Sequence, residues 1–586
     1  MPPARPRTPY GLLTTHFLRQ FLENDLISPD ADRSQTLAVV GALVLCLTLF
    51  ATTFMSFTYL APLMNPGLGA VLSLNDKFFY LAAAMIVPAL VAASQWEALA
   101  IDVRDAAILE PLPVPVATIR RAKLSAVAIL GAAVSLAVNV SPSVVFPALL
   151  VFKFREMSFV SLLALMATHA VVTIAAAAFG YLTVLALREV MVAILGRRWF
   201  TRVSPWAQGM LIVILGACLL LLPPATDRIV QRGFEDWRAK SPPMWFLGAY
   251  EMTVGHIVLD VPRGRMHPRQ ANSDRINSAL YRERRDDFPP LARRAGVAVS
   301  LTLLVAALAY LWNARRMPAL APAAPPAFRR RWALSSRLAN AVLVRQAPAR
   351  AGFYFTLAAM WRSNTHRLTL ACAAAAGFAM AVVALSNSDV QEGAGASPRL
   401  LAMQPLLYGA LLIGFRHAIR VPAELRANWG FQLAWRGRER EFVAGVKWAA
   451  VIALVLPALA VLLPLLTFVL GLQLAAMHAA LGLAGAIVFL EALMINYDKV
   501  PFTCTYIPSE NMKALAPIYA LAFLIGASMF ARMQYDALYG DRAIGALLTL
   551  AIAFVILRVI TVKRARLPYV EFDEAPVTFQ RLGLDQ

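Results

Sequence analysis

Apolar runs recur along the whole chain, each close to the length that crosses a bilayer as a helix. A crossing helix needs about 20 mostly apolar residues, because in lipid every backbone N–H and C=O must find its partner inside the segment. Twelve stretches meet this condition: 36–62, 77–101, 123–151, 158–187, 204–223, 293–313, 366–387, 398–418, 447–469, 473–496, 514–532 and 540–561. Of the 586 residues, 59% are hydrophobic and 15% charged, against about 45–50% and about 25% in soluble domains. The predicted fold class is an all-α polytopic membrane protein, with the lipid bilayer as its solvent.

The net charge of +21 does not imply a nucleic-acid partner. Lys and Arg concentrate in alternate loops while the short loops between them hold few, which is the positive-inside pattern. Twelve spans bring both termini to one side, and the pattern makes that side the cytoplasm. The basic loop 224–292 falls outside but is of the length that the rule exempts. The first residues, MPPARPRTPYGLLTTHFLRQ, lack the short apolar core and small-residue cleavage site of a secretory signal, so the first span is expected to remain in the mature protein.

Two halves share a layout. Tyr10, Leu13, Phe17, Leu18, Phe21 and Leu22 form an apolar stripe at helical spacing, as do Phe353, Tyr354, Leu357, Met360 and Trp361. Stripes of this kind beside a span suit helices lying in the interface, although a soluble helix packed on the cytoplasmic side has the same pattern. Two spans follow each stripe, then a charged cytoplasmic segment: DVRDAAILEPLPVPVATIRRAK (102–123) or RVPAELRANWGFQLAWRGREREFVAGVK (420–447). Each has an acid-x-Arg start (Asp102 and Arg104; Glu424 and Arg426) and returns to the membrane at a lysine, Lys123 or Lys447. The fourth span of each half carries one histidine, His169 or His478, at nearly equal depth. The expected organisation is two six-span modules, 1–316 and 330–586, joined by the Ala/Pro linker 317–329. Parallel repeats of this kind recur in transporters.

Within 102–123, residues up to Leu109 suit a short helix with Ile108 and Leu109 exposed. Pro111, Pro113 and Pro115 then break it, since proline lacks the N–H that would continue a helix and disfavours the helical conformation of the residue before it. Pro115 is well placed to begin the next helix. The expected product is a rigid peg carrying apolar side chains and flanking charges; a solvated loop is the alternative.

This stretch resembles the cytoplasmic element between the second and third spans of type-2 ABC exporter permeases, and the order of amphipathic stretch, two spans, charged segment and four further spans is similar in both halves. The resemblance implies that 102–113 is a coupling helix, preceded by an elbow helix, and that a separate cytoplasmic ATP-binding subunit docks on Arg104, Asp105, Ile108, Leu109, Glu110, Leu112 and Pro113. In the second half it implies Glu424, Arg426, Trp429 and Phe431. The segments 499–513 and 241–251 are also similar to uncharacterised bacterial permease-like proteins. Departures are the double length, the missing Leu-Pro-Val in the second segment and the single large external loop, so a degenerate second docking site is one alternative.

Every lysine follows Asp, Ala, Phe, Val or Met, so no GxxxxGK[ST] phosphate loop exists in the chain. HExxH, GxSxG and paired CxxC motifs are also absent, and Cys46, Cys218, Cys372 and Cys504 stand singly. No enzyme activity and no cofactor are expected of this chain itself. The spans read as poor in mid-depth charge. His169 and His478 are candidates to line a substrate path, or to bond neighbouring helices; Glu97 and Glu491 are expected to form salt bridges near span ends. His256, Asp260 and His267 fit no standard metal spacing, and PPMWFLGAY (242–250) reads as a helix dipping toward the bilayer. The expected function is the permease subunit of an ABC-type exporter in a bacterial inner membrane, its substrate unspecified. A secondary transporter, a lipid-processing membrane enzyme and a non-transporting scaffold are the alternatives.

Overall fold

The computed structural model describes residues 8–22, 65–96, 101, 103–153, 158–222, 240–259, 267–316, 340, 344–386, 397–423, 428, 431, 439–495, 497, 500–504, 510–540 and 542–564, a few helical positions by backbone alone. Among these, ten helices are long and apolar enough to cross a membrane, and no strand occurs. Each of the ten overlaps one of the expected spans. Of the other two, 36–62 lies outside the described residues and 514–532 falls within a helix running Glu510–Tyr539. The chain is a multi-pass, all-α membrane protein whose contacts form two compact units, Met1–Ala327 and Phe328–Gln586.

The first unit contains α1 (Pro9–Leu22), α2 (Pro66–Ser94), α3 (Val103–Leu109), α4 (Val116–Lys153), α5 (Phe159–Leu220), α6 (Pro242–Leu259), α7 (Pro268–Glu283) and α8 (Phe288–Arg316). Asn65 opens α2: its side-chain oxygen accepts from the Leu68 N–H at 2.8 Å, and Pro66 follows where its missing N–H is harmless. The helix therefore starts well ahead of the expected 77–101. Ser158 caps α5 in the same manner. Gly196, at φ 65° and ψ 162°, breaks α5 into two span-length pieces, a conformation that costs glycine little because it has no Cβ. Helix α2 packs on α4, α5, α6 and α7, while α8 packs on α5 and α6. Its Leu74, Phe78, Leu81 and Met85 form the core with Phe246, Leu247 and Leu291. At the α2–α5 crossing a Cβ on Gly180 would lie 2.2 Å from the Met85 carbonyl oxygen. Small residues allow this close approach where no hydrophobic force separates protein from lipid.

The second unit contains α9 (Ala347–Arg362), α10 (Asn364–Ser386), α11 (Pro398–Leu401), α12 (Met403–Ala418), α13 (Glu439–Ala450), α14 (Leu456–Leu470), α15 (Leu472–Leu493), α16 (Glu510–Tyr539) and α17 (Ala543–Arg564). A π-helical turn, Val451–Val455, joins α13 to α14. It lies just before Pro457, whose ring excludes the carbonyl four residues back and so favours a wider turn. Helix α12 packs on α10, α15 and α16, and Leu407, Leu411 and Phe415 sit in a core with Val446, Val455 and Leu490.

One packing recurs in both units. The amphipathic helix, α1 or α9, lies against the helix that follows the charged segment, α4 or α13. Residues 102 and 424–427, and the linker 317–329, lie outside the described residues.

Candidate functional site

Helix α3 is short because Pro111 removes the N–H that a further turn needs. Asp105, Ala106 and Leu109 share its inward face, and Ile108 points the opposite way. Ile108 is 64% exposed and Leu109 only 8%, which corrects the expectation that both project. Glu110, Pro111, Leu112 and Pro113 are exposed beyond it. The Pro115 carbonyl accepts from the Thr118 and Ile119 amides at the start of α4. The side chain of Arg104 lies outside the described residues, as do Glu424, Arg426 and Trp429.

Asp105 faces inward and is bonded within the unit. Its carboxylate accepts from Gln20 Nε2 at 3.0 Å and lies 3.3 Å from His16 Nε2. The amide oxygen of Gln20 accepts from Lys123 Nζ at 3.1 Å, and that ammonium sits 4.6 Å from the Phe17 ring centroid. Gln20 thus joins three elements, α1, α3 and α4, through one side chain. Phe431, implied by the resemblance as a docking residue of the second unit, is half-buried: its ring centroid is 4.9 Å from Phe355, in a cluster with Phe442 and Phe502.

A second site was missed from sequence. Lys77, 1% exposed, places Nζ 2.6 Å from Glu251 Oε1 and 4.8 Å from the Tyr250 ring centroid. The Tyr281 hydroxyl donates to Glu251 Oε2 and lies 3.0 Å from the Gly255 carbonyl oxygen. Tyr250 in turn shares a 3.3 Å hydrogen bond with His169 Nδ1. The imidazole is fully buried, with the rings of Tyr80, Phe146 and Tyr250 at centroid distances of 5.5, 5.4 and 5.7 Å. Its Nε2 has no hydrogen-bond partner among the described residues. The spans are therefore not free of buried charge. The available signal was the AsnAspLys triplet 75–77 in a long apolar helix, and a lone Glu in the apolar α6.

His478 lies in a different kind of setting. It is fully buried on α15, and neither ring nitrogen has a hydrogen-bond partner among the described residues. One turn along, Gly482 lies against the side chain of Gln404, whose Nε2 donates to Tyr408 and whose oxygen accepts from Gln534, each at 3.3 Å. Glu491, farther along α15, pairs with Lys447 at 2.5 Å and with Arg558 at 3.9 Å. It is a salt-bridge partner, while Glu97 lies outside the described residues.

The expected helix at 242–250 exists but runs on to Leu259 and packs on α2, α5 and α8. His267 caps α7, its ring nitrogen accepting from the Arg269 amide at 3.4 Å. The His256 side chain and Asp260 lie outside the described residues. Among the described residues no three metal-ligating side chains converge.

No family model, curated protein or solved structure matches the chain.

Proposed function

We propose that the chain is the permease subunit of an ABC-type exporter, twelve spans in two six-helix modules, driven by a separate cytoplasmic ATP-binding protein. Both termini face the cytoplasm of a bacterium, and the substrate crosses its inner membrane. The observation that carries this is the Asp105–Gln20–Lys123 linkage. A docked motor pressing on Ile108, Leu112 and Pro113 moves α3, and the buried Asp105 passes that movement to α1 and α4 together. Helix α3 then acts as a coupling helix and α1 as its elbow. The corresponding contact of α9 with α13 supports a second module of related design, with a weaker docking surface because Phe431 turns inward.

The test is affinity purification from native membranes in mild detergent, followed by mass spectrometry and an ATPase assay. A stoichiometric P-loop ATPase that is lost on Ile108→Asp supports the proposal; its retention in that variant, with transport intact, refutes docking at α3.

A secondary transporter is the alternative, favoured by Lys77, buried within the span α2 and paired with Glu251 of α6, since buried ionisable groups in spans mark coupling-ion paths. Transport that stops when the proton gradient is collapsed, and persists when ATP is depleted, selects it.

A further inference from the structure

Between α1 and the first turns of α4 runs a groove of about 460 Å³ lined by Tyr10, Thr118, Arg121, Leu124 and Ser125. Thr118, Arg121 and Ser125 follow one face of α4 at helical spacing. Tyr10 forms the facing wall, its hydroxyl 2.6 Å from Ser125 Oγ. The lining is two-sided in chemistry: a guanidinium and hydroxyls lie beside the exposed apolar bodies of Tyr10 and Leu124.

The surroundings are basic through tertiary structure. Arg120 Nη1 donates to the Ala314 carbonyl at 2.8 Å, which brings the end of α8 beside the start of α4. Arg315 and Arg316 follow immediately and are exposed. The Arg316 guanidinium lies 4.3 Å from the ring centroid of Trp312, itself exposed. The Arg120 bond thus brings the Arg315–Arg316 end of α8 and an aromatic side chain of the interfacial type to the helix that carries Arg121, with Glu189, which accepts from Asn313 at 2.8 Å, beside them.

We propose that this groove binds an anionic phospholipid, its phosphate held by Arg121 and the groove hydroxyls and its acyl chain lying along Tyr10 and Leu124. The amphiphilic lining selects this ligand. A soluble phosphate has no use for the apolar wall, and an acidic protein surface would engage the arginines but leave the groove unfilled. Lipid binding at this groove needs only that the chain sit in a membrane, whatever the chain transports.

The experiment is native mass spectrometry of the delipidated full-length chain titrated with phosphatidylglycerol or phosphatidylcholine, with inorganic phosphate as competitor. Phosphatidylglycerol is expected to bind several-fold tighter. Arg121→Gln should weaken it about fivefold, the worth of one basic side chain at an anionic surface, while Arg121→Lys keeps most of the affinity. Leu124→Asp should weaken both lipids, and the unfolding temperature of each variant identifies any that fail to fold. Equal binding of the two lipids, an unchanged Arg121→Gln variant, or displacement by millimolar phosphate overturns the proposal. So does an Arg121→Gln variant that loses a copurifying protein but keeps its phosphatidylglycerol affinity.

Discussion

Lys77 and Glu251 lie 174 positions apart in the chain, yet their charged groups meet at 2.6 Å with both side chains withdrawn from solvent. The pair ties α2 to α6, and through the Tyr281 hydroxyl it ties both to α7. Desolvating two charges costs several kcal/mol, and their attraction offsets this only while both remain.

Removing one partner should therefore be much worse than removing both. Lys77→Met is expected to cost about 3–5 kcal/mol by stranding a buried carboxylate. Lys77→Met combined with Glu251→Gln should recover most of that. Unfolding of the detergent-solubilised variants reads the difference; a double variant as unstable as the sum of its parts would refute the account.

Ile108 and Leu109 are neighbours with opposite roles. Ile108→Asp should change stability by less than about 0.5 kcal/mol, as is usual for an exposed position, and should abolish retention of an ATP-hydrolysing partner. Leu109→Asp should lower the yield of folded protein, because it buries an unpaired charge between α3 and its support. Equal behaviour of the two in a size-exclusion and thermal-unfolding comparison counts against the orientation of α3.

The contact between α9 and α13 depends on two reciprocal glycines. A Cβ on Gly445 would stand 2.0 Å from the Ala349 carbonyl oxygen, and one on Gly352 would stand 2.2 Å from that of Phe442. Gly445→Ala should cost about 1–3 kcal/mol, the usual range for overpacking. Gly296→Ala is the control, since a Cβ there meets nothing within 4 Å. Similar melting temperatures for the two variants would show that the helices separate readily.

His478 has two buried nitrogens and no hydrogen-bond partner for either among the described residues, a cost of about 1–3 kcal/mol for each group left unsatisfied. His478→Leu is expected to raise stability, because an apolar side chain leaves no polar nitrogen buried, and, on the permease proposal, to impair transport. A transport assay beside the unfolding curve checks this: unchanged transport assigns His478 no part in the substrate path.

What the sequence determined by itself was whatever depends on local composition. Runs of about 20 apolar residues made the chain a multi-pass helical membrane protein, because backbone groups in lipid have no partner except their own helix. The prolines at 111, 113 and 115 set where α3 stops and α4 starts, since the missing N–H acts within a turn. Ile108 was legible as exposed, and Glu491 as half of a salt bridge.

Only the tertiary structure decided which side chains face one another. Leu109 turned inward with Asp105, on the face of α3 that meets α1, and Asp105 became an anchor because Gln20 arrives from α1. Lys77 belongs inside α2 because Glu251, from a helix far along the chain, neutralises it there. Phe431 was drawn into the rings of Phe355, Phe442 and Phe502. Hydropathy averages over a window and records how costly a residue is to bury; it holds no information on the partner that offsets the cost, because that partner comes from elsewhere in the chain.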